Sequence, residues 1–486
     1  MKTSDLQNER VTPRLSESLK RIQELSGGSS DLLVNKIEIC GIKAALICCE
    51  GMISTATITE LILLPLTSMT LENPSPAALF GKIENKMLLS IDRTDTANYG
   101  DFFRLLNSGF AMLAADGMDR ILAFGVQGYD KRGVDEPSGE NNITGAHEGF
   151  VEVVRTNMSL IRRRMKNPTL VQKLFVIGDK SQTDICISYL RDRVPENLVE
   201  RVMDALKKTD LETVLSKGYV QPFVESRRKR IFESVGSTER PDVLCSKLLE
   251  GRISLLIDGT PFALYIPKLF SDSFQTLDDY SAKPYFATFI RWLKYAAFLI
   301  AILLPSVYTA IAMHHPELLN NTLLMILADS EKNAPFPVAA ESVGVLLMYE
   351  IIKEAGLRLP KAVGGAVSIV AGLIIGDAAV NSGLISTPLL TVAAVSVISS
   401  FVIPDLSQCI TVLRILFIIC GSLWGLYGIS LLGAAVLANA CATSDYGYPY
   451  TSPIAPFKLS AMRDVAYRQG FRKMQNNNFT VEELYE

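Results

Sequence analysis

Three carboxylates stand inside or at the rim of stretches that are otherwise apolar: Glu341, Glu350 and Asp377. An acid in a membrane helix costs free energy unless it faces water, a pore or a partner, and acids that line a pore select cations. Each of the three is therefore a candidate pore-lining or gating residue. Asp377 has an alternative role as a hydrated interfacial residue that caps its helix. Glu341 and Glu350 are separated by about 180° around a helix, so a single narrow stripe can contain only one of them.

Two glycines precede Asp377 along the chain. Gly372 and Gly376 are separated by three apolar residues, and this spacing of small residues permits two membrane helices to approach each other closely. The pattern predicts a helix-packing face at these two positions.

The remaining residues support neither catalysis nor cofactor binding. The sequence has no GxxxxGK[ST] phosphate loop, no GxSxG motif and no HExxH motif. His314 and His315 are adjacent, so their side chains point in different directions, and the eight cysteines lack metal-ligand spacing. We predict that the protein is not an enzyme and holds no cofactor or metal. The net charge of −3 argues against nucleic-acid binding.

The three acids lie in a C-terminal region with the composition of a membrane domain. The segment 338–355 carries Glu341, Glu350 and further charges, and we predict a re-entrant or interfacial helix there. Four other segments are apolar over about 20 residues, which at ~1.5 Å per residue crosses a ~30 Å hydrocarbon core. These segments are 295–313, 362–380, 384–403 and 415–437. The fold predicted for this region is an all-α, polytopic membrane domain with about four spans.

The charges beside these segments predict the topology. Arg291 and Lys294 precede the first span and further basic residues follow the last, so both termini should be cytoplasmic and the number of spans even. Pro305 is tolerated in the first span because neighbouring groups can bind the carbonyl that a proline frees. Arg414, at the entrance of the last span, is predicted to snorkel toward the headgroups. The polar N-terminus is no signal peptide, which keeps the first part of the chain in the cytoplasm.

The N-terminal part of the chain contains an internal repeat. The segment 36–43 is echoed by 173–180, and the dipeptide Asp116-Gly117 is echoed by Asp258-Gly259, each with a glycine at the same distance before it. An Asp-Gly pair between two apolar runs indicates a β-hairpin, and helical patterns lie between the repeated strands. We predict a cytoplasmic α/β region that consists of two related subdomains.

These patterns predict the domain order. The arginines at 162–164 lie in the predicted connecting helix, where they either bind phosphates or the headgroups of membrane lipids, or form a solvated face or pair with acidic neighbours. The predicted domains are an N-terminal arm (1–30), a first α/β subdomain (31–135), a connecting helix (136–167), a second α/β subdomain with its lead-in (168–290), the membrane domain (291–440) and a cytoplasmic tail (441–486).

Several short motifs follow one another along the chain from about residue 31 onward. They include His147-Glu-Gly-Phe150, Arg155-Thr-Asn157, Leu256-Ile-Asp-Gly259, Ala287-Thr-Phe-Ile-Arg291, Pro335-Phe-Pro337 through Glu350, and Tyr448-Pro-Tyr450. With these motifs the chain resembles the A subunit of the GerA family of spore germinant receptors. It departs from the family pattern at Leu346, where a further glutamate is expected.

The resemblance implies a subunit that works with a transporter-like B subunit, which binds the nutrient, and with a lipoprotein C subunit. It further implies a homo-oligomer, a pentamer, whose helices form an ion channel in the spore inner membrane. Nutrient binding then opens the channel, releases monovalent cations and starts germination. A SpoVAF-like paralogue, encoded with the dipicolinate-channel genes, shares this fold and stays open as an alternative. A secondary transporter and a non-conducting scaffold of the germination complex also stay open, although transporters usually carry repeats among their membrane segments.

Overall fold

The computed structural model of this chain describes most of its sequence. Asp377 and most of the predicted span 362–380 lie outside the described residues. The described residues are 3–71, 73–86, 93–126, 128, 137, 139–140, 145–225, 230–359, 372, 376, 378–458, 461–470 and 472.

The first α/β unit is a five-stranded antiparallel sheet covered by helices on both faces. Its strand order is β1-β2-β4-β5-β3. Because helices cover both faces, both sets of alternating side chains on β2 and β4 are buried, one set against α1, α2 and α5 and the other against α3 and α4. The elements are α1 (Thr3–Asn8), α2 (Leu15–Leu25), β1 (Leu32–Ile39), β2 (Ile42–Cys49), α3 (Thr55–Thr67), α4 (Pro76–Lys86), β3 (Arg93–Thr96), α5 (Tyr99–Leu106), β4 (Phe110–Ala115) and β5 (Ile121–Gly125).

The second unit repeats this architecture. Its strand order, β6-β7-β9-β10-β8, matches the order in the first unit strand for strand, and every pairing is again antiparallel. One face of the sheet packs against α6 and α9, and the other packs against α7 and α8. The elements are α6 (Val154–Arg164), β6 (Leu170–Ile177), β7 (Thr183–Leu190), α7 (Glu196–Lys207), α8 (Lys217–Val224), β8 (Gly236–Thr238), α9 (Pro241–Leu249), β9 (Ile253–Ile257) and β10 (Ala263–Ile266).

The two Asp-Gly pairs form the predicted hairpins and also begin a helix in each unit. They connect β4 to β5 and β9 to β10. The Asp116 carboxylate accepts a hydrogen bond from the first backbone N–H of α2, at Leu15 (2.9 Å), and Asp258 accepts the equivalent bond from Val154 of α6 (3.0 Å). Each aspartate thereby satisfies a free N–H at a helix start. The structural repeat therefore includes the helix before each sheet.

The arginines at 162–164 pair with acids of the same chain. Arg162 and Asp31 form a buried ion pair (2.8 Å) between α6 of the second unit and the start of β1 in the first. Arg163 and Arg164 both contact the carboxylate of Glu148. Of the two roles that the sequence left open, the structure shows pairing with acidic neighbours.

A helical region follows the second unit. It contains α10 (Pro284–His314), α11 (Asn321–Asn333), α12 (Val338–Arg358), α13 (Thr387–Phe401) and α14 (Ser407–Ala442). Among the described residues two helices, Pro284–His314 and Pro404–Ala442, are long and apolar enough to cross a membrane. Four spans are not found by this criterion. The segment predicted as re-entrant or interfacial is one unbroken helix of 21 residues.

The predicted single span 415–437 is wrong, because α14 folds back on itself. Gly425 has non-helical dihedral angles (φ 61°, ψ −147°). Cys409 donates its thiol to Ile231 O (2.9 Å), and Asn439 Oδ1 accepts from Ile231 N (3.4 Å). A straight helix would separate positions 409 and 439 by about 45 Å. α14 is therefore a hairpin of two antiparallel helices, α14a (407–424) and α14b (426–442), with its tip at Gly425.

Contacts between helices show their directions. α10 leaves the α/β units and ends at the hairpin tip, where His314 Nε2 donates to Ser422 O (2.6 Å). α12 begins near that far end, since Ser342 and Thr309 share a hydrogen bond (2.9 Å), and runs back toward the start of α14a. α13 also starts at the far end, next to Glu341. Consecutive helices α12 and α13 thus run in the same direction.

Candidate functional site

A backbone carbonyl inside α10 binds two polar side chains from other helices. Pro305 has no N–H, so the carbonyl of Ala301, four residues earlier, lacks its helical partner. Arg414 Nε donates to this oxygen (2.9 Å) and Ser396 Oγ donates to it as well (2.7 Å). The prediction that neighbours bind the carbonyl freed by Pro305 is confirmed. One proline thereby fixes α10, α13 and α14a to one another.

The predicted snorkelling of Arg414 is wrong. Its side chain is buried, with 2% of the residue exposed, and it points into the helix cluster toward Ala301. The apolar sequence around Arg414 suggested a helix entrance, but the first turn of α14a lies before it and packs against the α/β region. A cation inside a helix cluster is costly unless polar groups surround it, which marks it as a functional candidate. Sequence reasoning missed this role.

Glu350 lies in the same polar cluster. Thr411 Oγ1 donates to its carboxylate (2.9 Å), and Lys353 Nζ lies 3.3 Å from the other oxygen. Thr411 and Arg414 are one helical turn apart on α14a, and Glu350 is close enough to act electrostatically on Arg414. The carboxylate is half-buried, so it retains access to solvent or to a neighbouring molecule.

Glu341 occupies the other end of α12. It is 4% exposed, and one carboxylate oxygen accepts from the backbone N–H of Ser386 at the start of α13. The positive end of the α13 dipole favours this negative charge. The second oxygen has no hydrogen-bond partner among the described residues. Glu341 and Glu350 thus contact different helices of the same chain, about 13 Å apart along the axis of α12.

The structure provides less information about the other predicted site residues. A Cβ placed on Gly372 or Gly376 meets nothing within 4 Å in the described part of the chain, so their helix-packing role stays a prediction. The role of Asp377 also stays a prediction. Leu346, the departure from the family pattern, packs in an apolar cluster with Leu389 of α13.

Two charged junctions, which the sequence did not reveal, tie the helices to the α/β region. At the start of α10, the fully buried Arg291 binds Asp279 (3.0 Å) and Asp464 of the tail (3.0 Å), and Lys294 binds Asp279 (3.3 Å). After α14b, Asp445 binds Arg230 of the second unit (2.8 Å). The chain therefore enters and leaves the helical region on the same side. The signal in the sequence was the pair of basic residues before the first span, but their acidic partners could not be read from it.

The fold and these contacts define a class of protein in which a two-unit α/β body is joined to a cluster of apolar helices held together by buried polar groups. Residues 20–479 match the Bacillus/Clostridium GerA spore germination protein family. The chain belongs to this family, and its role is in spore germination.

Three named proteins are similar to this chain. Spore germination protein KA of Bacillus subtilis (strain 168) is 34% identical over 464 residues, which cover 94% of this chain and 85% of that protein. Uncharacterized membrane protein YfkQ of the same organism is 31% identical over 474 residues, covering 96% and 90%. A crystal structure of the N-terminal domain of the A subunit of the Bacillus megaterium spore germinant receptor GerK3 covers 54% of this chain and 98% of its own, at 28% identity and a TM-score of 0.43.

Proposed function

We propose that this chain is the A subunit of a nutrient germinant receptor and that its helical region, assembled as a homo-oligomer, forms a ligand-gated cation channel in the spore inner membrane. A transporter-like subunit and a lipoprotein are its partners. Family membership supports the receptor assignment. The observation that carries the channel assignment is the row of ionisable groups along the helices: Glu341 at the far end, and Glu350 with Arg414 nearer the body.

The directions of the helices support an even number of crossings with both termini in the cytoplasm. α10 and α14a run away from the α/β body, while α12, α13 and α14b run back toward it. α12 and α13 run in the same direction, and the crossing that must connect them is assigned in this proposal to the span predicted from the sequence at 362–380, which lies mostly outside the described residues. This arrangement has six crossings, two more than the sequence predicts, because α12 counts as a crossing and α14 counts twice.

The channel is tested by nutrient-triggered release of monovalent cations from spores that carry E341Q, E350Q or D377N. Loss of a pore carboxylate should slow cation release without lowering the amount of receptor. E354Q is the matched control, since Glu354 lies on the same helix but is exposed and pairs with Arg358 (2.6 Å). Normal release from all three variants, at normal receptor levels, would refute the role of these acids in the pore.

A non-conducting scaffold is the second candidate. The observation that favours it is that both described acids already have partners within one chain, as structural carboxylates do. Recording from the purified complex in a planar bilayer separates the candidates: nutrient-dependent single-channel steps support the channel, and a silent but assembled complex supports the scaffold.

A further inference from the structure

The start of α10 exposes a continuous aromatic face. Tyr285, Phe286, Phe289 and Trp292 are between 52% and 73% exposed. Their spacing puts them on one side of the helix, and the exposed Leu299 continues that side into the apolar part of the helix. A row of large exposed rings marks a surface that contacts something other than bulk water.

The opposite side of the same turns carries the charges. Arg291 and Lys294 are buried there against Asp279. The indole N–H of Trp292 donates to Ala466 O (2.7 Å), which leaves the exposed part of that ring apolar. These turns therefore present their rings outward and their cations inward, so the two basic residues used for the topology prediction are neutralised within the protein.

A second pair of exposed aromatic residues lies at the opposite end of the helices. Trp424 and Tyr427, 59% and 71% exposed, flank the hairpin tip, which contacts the end of α10 at His314. The 22 residues from Trp292 to His314 correspond to about 33 Å of helix, close to the ~30 Å thickness of a hydrocarbon core. The two tryptophans of the sequence thus lie one membrane thickness apart.

We propose that the aromatic face at residues 285–292 binds the lipid headgroup region on the body side of the membrane, and that Trp424 and Tyr427 lie in the opposite headgroup region. Tyrosine and tryptophan favour both interfaces of a bilayer because their rings are amphipathic. The membrane boundary then lies before position 295, where the apolar sequence begins, and the second α/β unit rests directly on the headgroups. This inference rests on the membrane location in the proposed function and does not need conductance.

The two tryptophans allow a direct test in the full-length chain. W424F leaves Trp292 as the reporter and W292F leaves Trp424, each reconstituted in phosphatidylcholine vesicles with bromine atoms near the headgroup end or near the methyl end of the acyl chains. Both reporters should lose most of their fluorescence to the shallow bromines and little to the deep ones.

Other outcomes would overturn the proposal, and they distinguish a failure of the interfacial position from a failure of the proposed membrane location. If Trp424 is quenched but Trp292 is quenched at neither depth, the α10 face does not contact lipid, and its assignment to the headgroup region is refuted. Stronger quenching of Trp292 by the deep bromines also refutes an interfacial position. If neither tryptophan is quenched at either depth, the membrane location in the proposed function fails as well.

Discussion

Removal of the Arg162 cation should open the contact between the two α/β units. In R162M the carboxylate of Asp31, whose side chain is 2% exposed, stays buried without its ion pair, and Leu170 O loses the hydrogen bond from Arg162 (3.0 Å). Breaking a buried pair by removing one partner costs about 3–5 kcal/mol. At about 1.4 kcal/mol per factor of ten, the open state should become roughly a hundredfold to a few thousandfold more populated.

Cys49 reports this opening. Its thiol is buried and donates to Asp31 (3.4 Å), and burial, followed by the charge of Asp31, raises its pKa well above the usual range. The thiolate is the reactive form, so Cys49 reacts with a maleimide only when the contact opens. The labelling rate of Cys49, read by mass spectrometry of its peptide in the full-length chain, should rise in R162M by the same factor.

R155M is the matched control, since Arg155 lies on the same helix and pairs with Glu50 across the same contact, but this pair is open to solvent, with Arg155 45% and Glu50 29% exposed. An exposed pair contributes about 0–1 kcal/mol, so R155M should label almost as slowly as the wild type. Adding D31N to R162M should slow the labelling again because no uncompensated charge remains. The reasoning is refuted if R162M and R155M label Cys49 at the same rate.

Two further predictions concern the hairpin and a titrating acid. N439C should cross-link to the native Cys409 with a short bis-maleimide, because both side chains contact Ile231, while L423C at the tip should not; absence of the N439C cross-link would mean that α14 is straight. Burial raises the pKa of Glu140 to about 7 against the opposing hydrogen bond from Thr238. Between pH ~4.5 and ~7 the folded state then binds more protons than the unfolded state, so the free energy of unfolding should fall as pH rises through that window. In E140Q, measured by chemical denaturation in detergent, this decline should shrink; an unchanged pH dependence would count against Glu140 as its source.

The sequence predicted those features that depend on residues close together in the chain. The two Asp-Gly hairpins were readable because a tight turn needs specific residues at specific positions, and their repetition revealed two α/β units. The fold-back of α14 was not readable in the same way. Gly421, Gly425 and Gly428 lie in an apolar run that also suits a straight span, and the interruption depends on close contacts, such as that of Gly425 with His314 and His315.

Charged residues show the same difference between what the sequence determines and what the tertiary structure determines. By itself the sequence determined that this is an α/β body followed by apolar helices, which residues are charged, and to which family the chain belongs. Only the tertiary structure decided that Arg291 meets Asp464, that Arg162 meets Asp31 and that Arg414 meets the carbonyl freed by Pro305. A buried charge must have a compensating partner, but packing selects that partner from positions far away in the chain, and no local pattern records the choice.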